Sequence, residues 1–235
     1  MPETRGVLFD YGRTLVTFEF PTRELLEVVR GFRPRIGSAL GAEPPGAEAI
    51  LENVLLPLEE IIGSMSEDEV EYMDVFREAW AKAGLGLPDG LLHDILDAEQ
   101  QCWDRAVRLD PDALPMLVWL GAHGIKRGVC SNAPFPPEMM RRQVDLSGIG
   151  EMLDAVVFSS EVGRRKPAPE VYRAALAAIG VDARHVLFVG DRVREDYEGP
   201  LAAGMRAVIF TAHTENAPPA GVPTISSLSE VAGLL

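Results

Sequence analysis

Cysteine is scarce in this chain, with only Cys102 and Cys130 among 235 residues. Two thiols make no disulfide framework, and their separation matches no zinc-ligand spacing, so both are expected to be reduced and packed. Positive charge is scarce too: 22 Lys and Arg face 36 Asp and Glu, a formal balance of −14. Such a field repels nucleic acid and anionic membrane, and neither is an expected partner. It also repels phosphate esters, so a phosphate site must be positive locally. No apolar run approaches the ~18 residues that suggest a membrane span, and Met1 to Asp10 carry no extended apolar segment. A soluble, cytoplasmic protein is expected. Only four histidines occur, His93, His123, His185 and His213, scattered without metal spacing or a Ser-His-acid grouping. Structural or surface roles are expected for them.

What is present is core material: 47% of residues are hydrophobic. Short β-branched runs mark strands at Gly6 to Phe9, Lys126 to Ser131, Ala155 to Ser159, His185 to Gly190, Ala207 to Phe210 and Pro223 to Ser226. Helical patterns separate the later ones, at Glu170 to Ile179 and Glu195 to Ala203, and the capping box Ser227-x-x-Glu230 predicts a last helix. This is the rhythm of a parallel α/β sheet. After the first strand the alternation breaks for a hundred residues. There Leu25, Val29 and Phe32, then Ile50, Val54, Leu58 and Ile61, recur at helical spacing, with Pro57 as a kink or boundary. Ser66-x-x-Glu69 reads as a capping box before Val70, Met73, Phe76 and Trp80. Leu92, Ile95, Leu96, Glu99 and Trp103 continue the period. The expected organisation is a doubly wound, Rossmann-like α/β core of residues 1–16 and 109–235 with an inserted helical cap of residues 17–108.

Ligands of open α/β sheets bind beyond the carboxyl ends of the strands, so polar residues that close apolar runs are the candidates. Four places qualify: Asp10-Tyr11-Gly12-Arg13-Thr14-Leu15, Ser131-Asn132, Lys166-Pro167, and Gly190-Asp191 with Asp196. Singly, each has an ordinary explanation as a turn, a helix cap or a solvated cation. Together they gather carboxylates, a hydroxyl and a lysine on one sheet edge. Carboxylate oxygens suit magnesium, and lysine and serine suit phosphoryl oxygens.

In order and spacing these segments resemble the four motifs of the haloacid dehalogenase superfamily, with Lys166-Pro167-Ala168-Pro169 and Gly190-Asp191-x4-Asp196 the most specific parts. The resemblance implies a phosphatase-type member with a helical cap. Asp10 is then the nucleophile that forms an aspartyl phosphate. Mg2+ is held by Asp10, the Gly12 carbonyl and Asp191. Ser131, Asn132 and Lys166 bind the phosphoryl group, and Asp196 and Thr14 support the site from behind. The implied partner is a small phosphorylated substrate, for a monomer or homodimer. The chain departs from the pattern at Gly12, where the family's phosphatases carry an aspartate that acts as acid and base, so slow turnover is an expected consequence. It departs again at Arg13, a position commonly glycine, whose side chain points either to the phosphate or to solvent. Three alternatives tolerate the missing aspartate: a metal-free haloacid dehalogenase, against which Asp191 and Asp196 argue; a phosphonate hydrolase using Lys82 as a Schiff base; and a phosphate-binding protein with little turnover.

Overall fold

The computed structural model describes residues 3–63, 66–214 and 217–235. The chain divides into two compact units, one of Met1–Phe18, Glu67–Glu69 and Val107–Leu235, the other of Glu19–Ser66 and Val70–Ala106.

The first unit is built on strands β1 (Gly6–Phe9), β2 (Val16–Phe18), β3 (Val107–Leu109), β4 (Lys126–Ser131), β5 (Ala155–Phe158), β6 (Val186–Gly190), β7 (Arg206–Phe210) and β8 (Thr224–Ile225). Six of them form one parallel sheet in the order β5-β4-β1-β6-β7-β8. Side chains alternate across a strand, and here both faces are buried, which explains why the strands read as unbroken apolar runs. Val7, Phe9, Val129, Leu187, Val189, Val208 and Phe210 pack on one face with Leu117 and Leu120 of the Ala113–Ala122 helix and Val144 of the Pro137–Leu146 helix. Leu8, Cys130, Val186, Phe188 and Ala207 pack on the other with Val171, Tyr172 and Ala175 of the Pro169–Ile179 helix. Each fully buried large apolar side chain contributes about 1.5–3 kcal/mol. The result is the doubly wound, Rossmann-like α/β fold expected.

Three details differ from expectation. β2 and β3 pair antiparallel, Val16 opposite Leu109, so the first unit runs to Phe18 and resumes at Val107, not at 16 and 109. Ser66-x-x-Glu69 does not cap the following helix, which begins at Tyr72. Instead Glu67–Glu69 lies along Gly163 to Arg165: the Arg165 amide donates to the Glu67 carbonyl at 2.8 Å, and Asp68 bridges Arg164. Three adjacent acids meet Arg164, Arg165 and Arg194, and the Ser159 hydroxyl donates to Glu69. Finally, Ser227 and Glu230 do form a reciprocal capping box, but the segment they start, Leu228–Leu234, winds as a tighter 3₁₀ helix.

The second unit is helical, with Thr22–Leu40, Ala47–Ile50, Leu56–Ile62, Tyr72–Lys82 and Asp89–Ala106 as its α-helices. Leu51–Leu55 is a π turn just before Pro57. A proline inside a helix has no N–H to offer the preceding turn, and the widened turn absorbs that mismatch without ending the helix. Leu25, Val29, Ile50, Val54, Leu58, Phe76, Trp80, Leu92 and Ile95 are buried, as their periodicity predicts. No helix among the described residues is long and apolar enough to cross a membrane.

Candidate functional site

The site begins where β1 ends. Asp10 follows Phe9 directly, its amide donating to the Val189 carbonyl at 2.8 Å, and the chain then turns sharply. The Tyr11 carbonyl accepts from the amides of Thr14, Leu15 and Val16, while the Arg13 amide donates to Val16 at 2.6 Å. This backbone knot holds the loop that carries Thr14. Thr14 is fully buried, and its hydroxyl has no hydrogen-bond partner among the described residues.

Lys166 reaches the same point from the segment after β5. Its ammonium donates to Asp10 Oδ1 at 2.7 Å and to Asp196 Oδ1 at 2.6 Å. Lys166 is 3% exposed. Burial opposes its charge, but the Asp10 and Asp196 carboxylates more than offset this and hold the amine well above its ordinary pKa. Asn132 fixes its backbone: Asn132 Oδ1 accepts from the Lys166 amide at 2.7 Å, and Nδ2 donates to the Lys166 carbonyl at 3.1 Å. Asn132, expected to meet the phosphoryl group, also places Lys166 through both ends of its side-chain amide. Ser131 closes β4 and is buried, on the strand next to β1.

The acidic side of the site comes from β6. Asp191 follows Gly190, and Asp196 folds back from the turn Val193–Glu198, its Oδ2 accepting from the amides of Asp191 at 3.1 Å and Arg192 at 2.9 Å. A side chain at Gly190 would overlap the Asp196 carboxylate, so this close approach requires glycine. Tyr172 holds the turn from outside, donating to the Glu195 carbonyl at 2.6 Å. Carboxylate oxygens of Asp10, Asp191 and Asp196 lie within 4.8 Å of one another. Burial first, and then the charges of Asp10 and Asp196, push Asp191 up to about 7. Burial likewise raises Asp196 to about 6 against the pull of Lys166. Three hard-oxygen carboxylates facing one ammonium are short of positive charge, and that donor set fits a magnesium ion.

Sequence reading thus placed Asp10, Lys166, Asp191 and Asp196 in one site, and the structure brings these four together. It missed the position of Arg192 beside the acidic cluster, the positioning bond of Tyr172, and the use of Glu67–Glu69. Only Arg192 carried a signal, its place immediately after Asp191. Other charged and aromatic-stacked side chains are engaged elsewhere. Lys82 is exposed and pairs with Glu78 at 2.9 Å; Arg30, Arg33 and Arg77 pair with surface acids; His123 stacks on Trp119; and His213 bonds Asp110 at 2.8 Å. Cys130 lies under the site, where burial pushes its thiol up to about 12 and leaves it inert.

Comparison with known proteins identifies the family. A family model described as haloacid dehalogenase-like hydrolase matches residues 4–204. Curated relatives include a phosphoserine phosphatase of Thermus thermophilus, 33% identical over 57% of this chain and 52% of its own length. A phosphoglycolate phosphatase of Rhodospirillum rubrum is 33% identical over 53% and 50%. The chain therefore spans about half the length of these relatives. A glyceraldehyde 3-phosphate phosphatase of Methanopyrus kandleri is 26% identical over 87% of this chain and 82% of its own. Among solved structures, a phosphatase from Thermococcus onnurineus superposes with a TM-score of 0.67 and 21% identity, covering 98% of this chain and 97% of that one. A 2-haloacid dehalogenase from Pseudomonas syringae superposes at 0.70 with 21% identity and the same coverage. With the four motif segments gathered on one sheet edge and the family model spanning most of its length, the chain belongs to the haloacid dehalogenase-like hydrolases.

Proposed function

We propose that this protein is a magnesium-dependent hydrolase of small phosphorylated compounds that works through an aspartyl phosphate on Asp10. The observation that carries this reading is the Asp10–Lys166–Asp196 chain of hydrogen bonds with Asp191 completing an acidic cluster. Asp10 attacks phosphorus and the bond to the leaving oxygen breaks; water then releases phosphate and restores the carboxylate. Lys166 neutralises phosphoryl charge as it builds, and Ser131 contributes a hydroxyl donor. Asp10, Asp191 and the Gly12 carbonyl would hold magnesium, which when bound supplies further positive charge to the phosphoryl oxygens. Asn132 and Asp196 keep Lys166 in place. Gly12 offers no proton to the leaving group.

The named activities of the relatives, all on phosphate esters, support this reading, whereas the likeness to a dehalogenase is one of fold alone. A metal-free dehalogenation has no use for the crowded pair Asp191 and Asp196. The Schiff-base alternative is disfavoured by the exposed, ion-paired Lys82. The test is hydrolysis of p-nitrophenyl phosphate and a panel of phosphate esters with and without magnesium. Magnesium-dependent turnover is expected, with a loss of at least about a thousandfold in Asp10→Asn. No turnover of any ester would favour a phosphate-binding protein, and turnover surviving in Asp10→Asn would remove Asp10 as nucleophile.

A further inference from the structure

Arg192 stands directly after the acidic residue that ends β6. Its backbone is fixed, because its amide donates to Asp196 Oδ2 at 2.9 Å. Its side chain is exposed and makes no hydrogen bond or ion pair among the described residues. The nearby arginines differ: Arg164 is taken up by Glu67, Asp68 and Glu170, and Arg194 by Glu67 and Glu195. Arg192 is not remote from the chemistry either: it follows Asp191 directly, and its amide bonds the same Asp196 carboxylate that pairs with Lys166. An exposed guanidinium whose backbone is held on the acidic cluster, and which has no acceptor among the described residues, is available to an oxyanion that arrives with the substrate.

We propose that Arg192 sets the specificity of this site by binding a carboxylate on the substrate, so that the preferred substrates are small phosphorylated carboxylic acids. The proposal rests on the reading of the site as that of a phosphate-ester hydrolase. Two cations then divide two anions. Lys166, buried against Asp10, serves the phosphoryl group, while Arg192, at the exposed rim, meets the part of the substrate that leaves. The planar fork of a guanidinium matches a carboxylate with two parallel hydrogen bonds, whereas a neutral alkyl or sugar group leaves its charge unanswered. Charge points the same way. In a chain of net charge −14 a substrate with two anionic groups is repelled unless each group finds a local cation, and Arg192 supplies the second.

The experiment compares a matched pair, 2-phosphoglycolate and ethyl phosphate, in saturating magnesium. Single turnovers at excess enzyme bring slow esters within reach, and steady-state kinetics separate kcat from KM. The parent is expected to prefer 2-phosphoglycolate. Arg192→Gln should lower kcat/KM for that ester by roughly ten- to hundredfold, mainly through KM, and leave ethyl phosphate within about threefold. Arg192→Lys should recover part of the loss. An equal loss on both esters would assign Arg192 to charge balance at the acidic cluster and overturn the proposal, as would a parent that hydrolyses both esters equally well in an Asp10-dependent way. Failure of the underlying reading looks different: the parent turns over neither ester, or Asp10→Asn retains the activity, and the proposal falls with it.

Discussion

Arg13 holds a φ of 62°, in the left-handed region that a residue with a Cβ occupies at a cost of roughly 1–2 kcal/mol. It is the one non-glycine residue in that region among those described. The knot of amides on the Tyr11 carbonyl imposes the turn, and family resemblance expects glycine there. Arg13→Gly should relieve the strain while giving the unfolded chain more freedom, for a net gain of up to about 1 kcal/mol in urea unfolding. A net loss would mean that contacts of the arginine side chain outweigh the strain. Gly12, by contrast, lies outside the left-handed region, and a Cβ there would meet the Phe18 ring at 3.5 Å, an ordinary contact. Aspartate is thus sterically admissible at position 12. General acid catalysis is worth roughly a hundred- to ten-thousandfold, so Gly12→Asp should speed hydrolysis of alkyl phosphates, whose alkoxide needs a proton, far more than that of p-nitrophenyl phosphate. A leaving-group series on parent and variant measures this, and a parallel rise on both esters would show that the new carboxylate does something other than donate a proton. The four charged site residues were legible because each ends a strand or follows a specific motif. The bonds of Asn132 to the Lys166 backbone were not legible, because the partner of a short polar side chain is settled by packing that spacing does not record.

On the Asp89–Ala106 helix, Glu99 sits in the apolar stripe with Leu92, Ile95 and Leu96 and is buried, its Oε1 without a hydrogen-bond partner among the described residues. Helical periodicity put it on that face. The same reading could not foresee the electrostatic result, that burial pushes its carboxyl up to about 8. An unfolded glutamate releases its proton near 4.5, and the folded one keeps it until about 8. Between those values the folded state binds more protons than the unfolded state, so this group's contribution to stability falls as pH rises through the window. Glu99→Gln cannot ionise and should be free of that loss. Urea unfolding at pH 5, 7 and 9 should find the variant close to the parent at pH 5 and more stable at pH 9. Parallel profiles would mean that Glu99 gains solvent or a partner when charged. Other elements were less legible for a related reason. The ribbon of β2 and β3 and the docking of Glu67–Glu69 depend on partners about ninety residues away, whereas the strands of the parallel sheet and the long helices declare themselves through local period.

At the scale of the whole molecule, an acidic chain concentrates further negative charge at its own site, with Asp10, Asp191 and Asp196 facing Lys166. Asp191 at about 7 and Asp196 at about 6 both lie above the ordinary 3.8. For a raised acid the folded state holds the proton longer, so without metal the stability these groups confer is lost as pH rises from about 4 through about 7. Magnesium reverses the sign, because it binds the ionised carboxylates and only the folded chain brings them together. The stabilisation by magnesium should therefore be small at pH 5.5, grow through pH 7 and level off above it. Below pH 7 the apparent affinity should weaken by about tenfold per pH unit for each proton displaced. Thermal unfolding with and without millimolar magnesium, across pH 5.5 to 8.5, measures the difference. In Asp191→Asn the metal-free decline with pH should flatten and the magnesium shift should largely vanish, since one change removes both the costly charge and its ligand oxygen. A magnesium shift that is independent of pH, or one that survives in Asp191→Asn, would place the ion elsewhere and leave the carboxylate cluster as a charge partner of Lys166 alone.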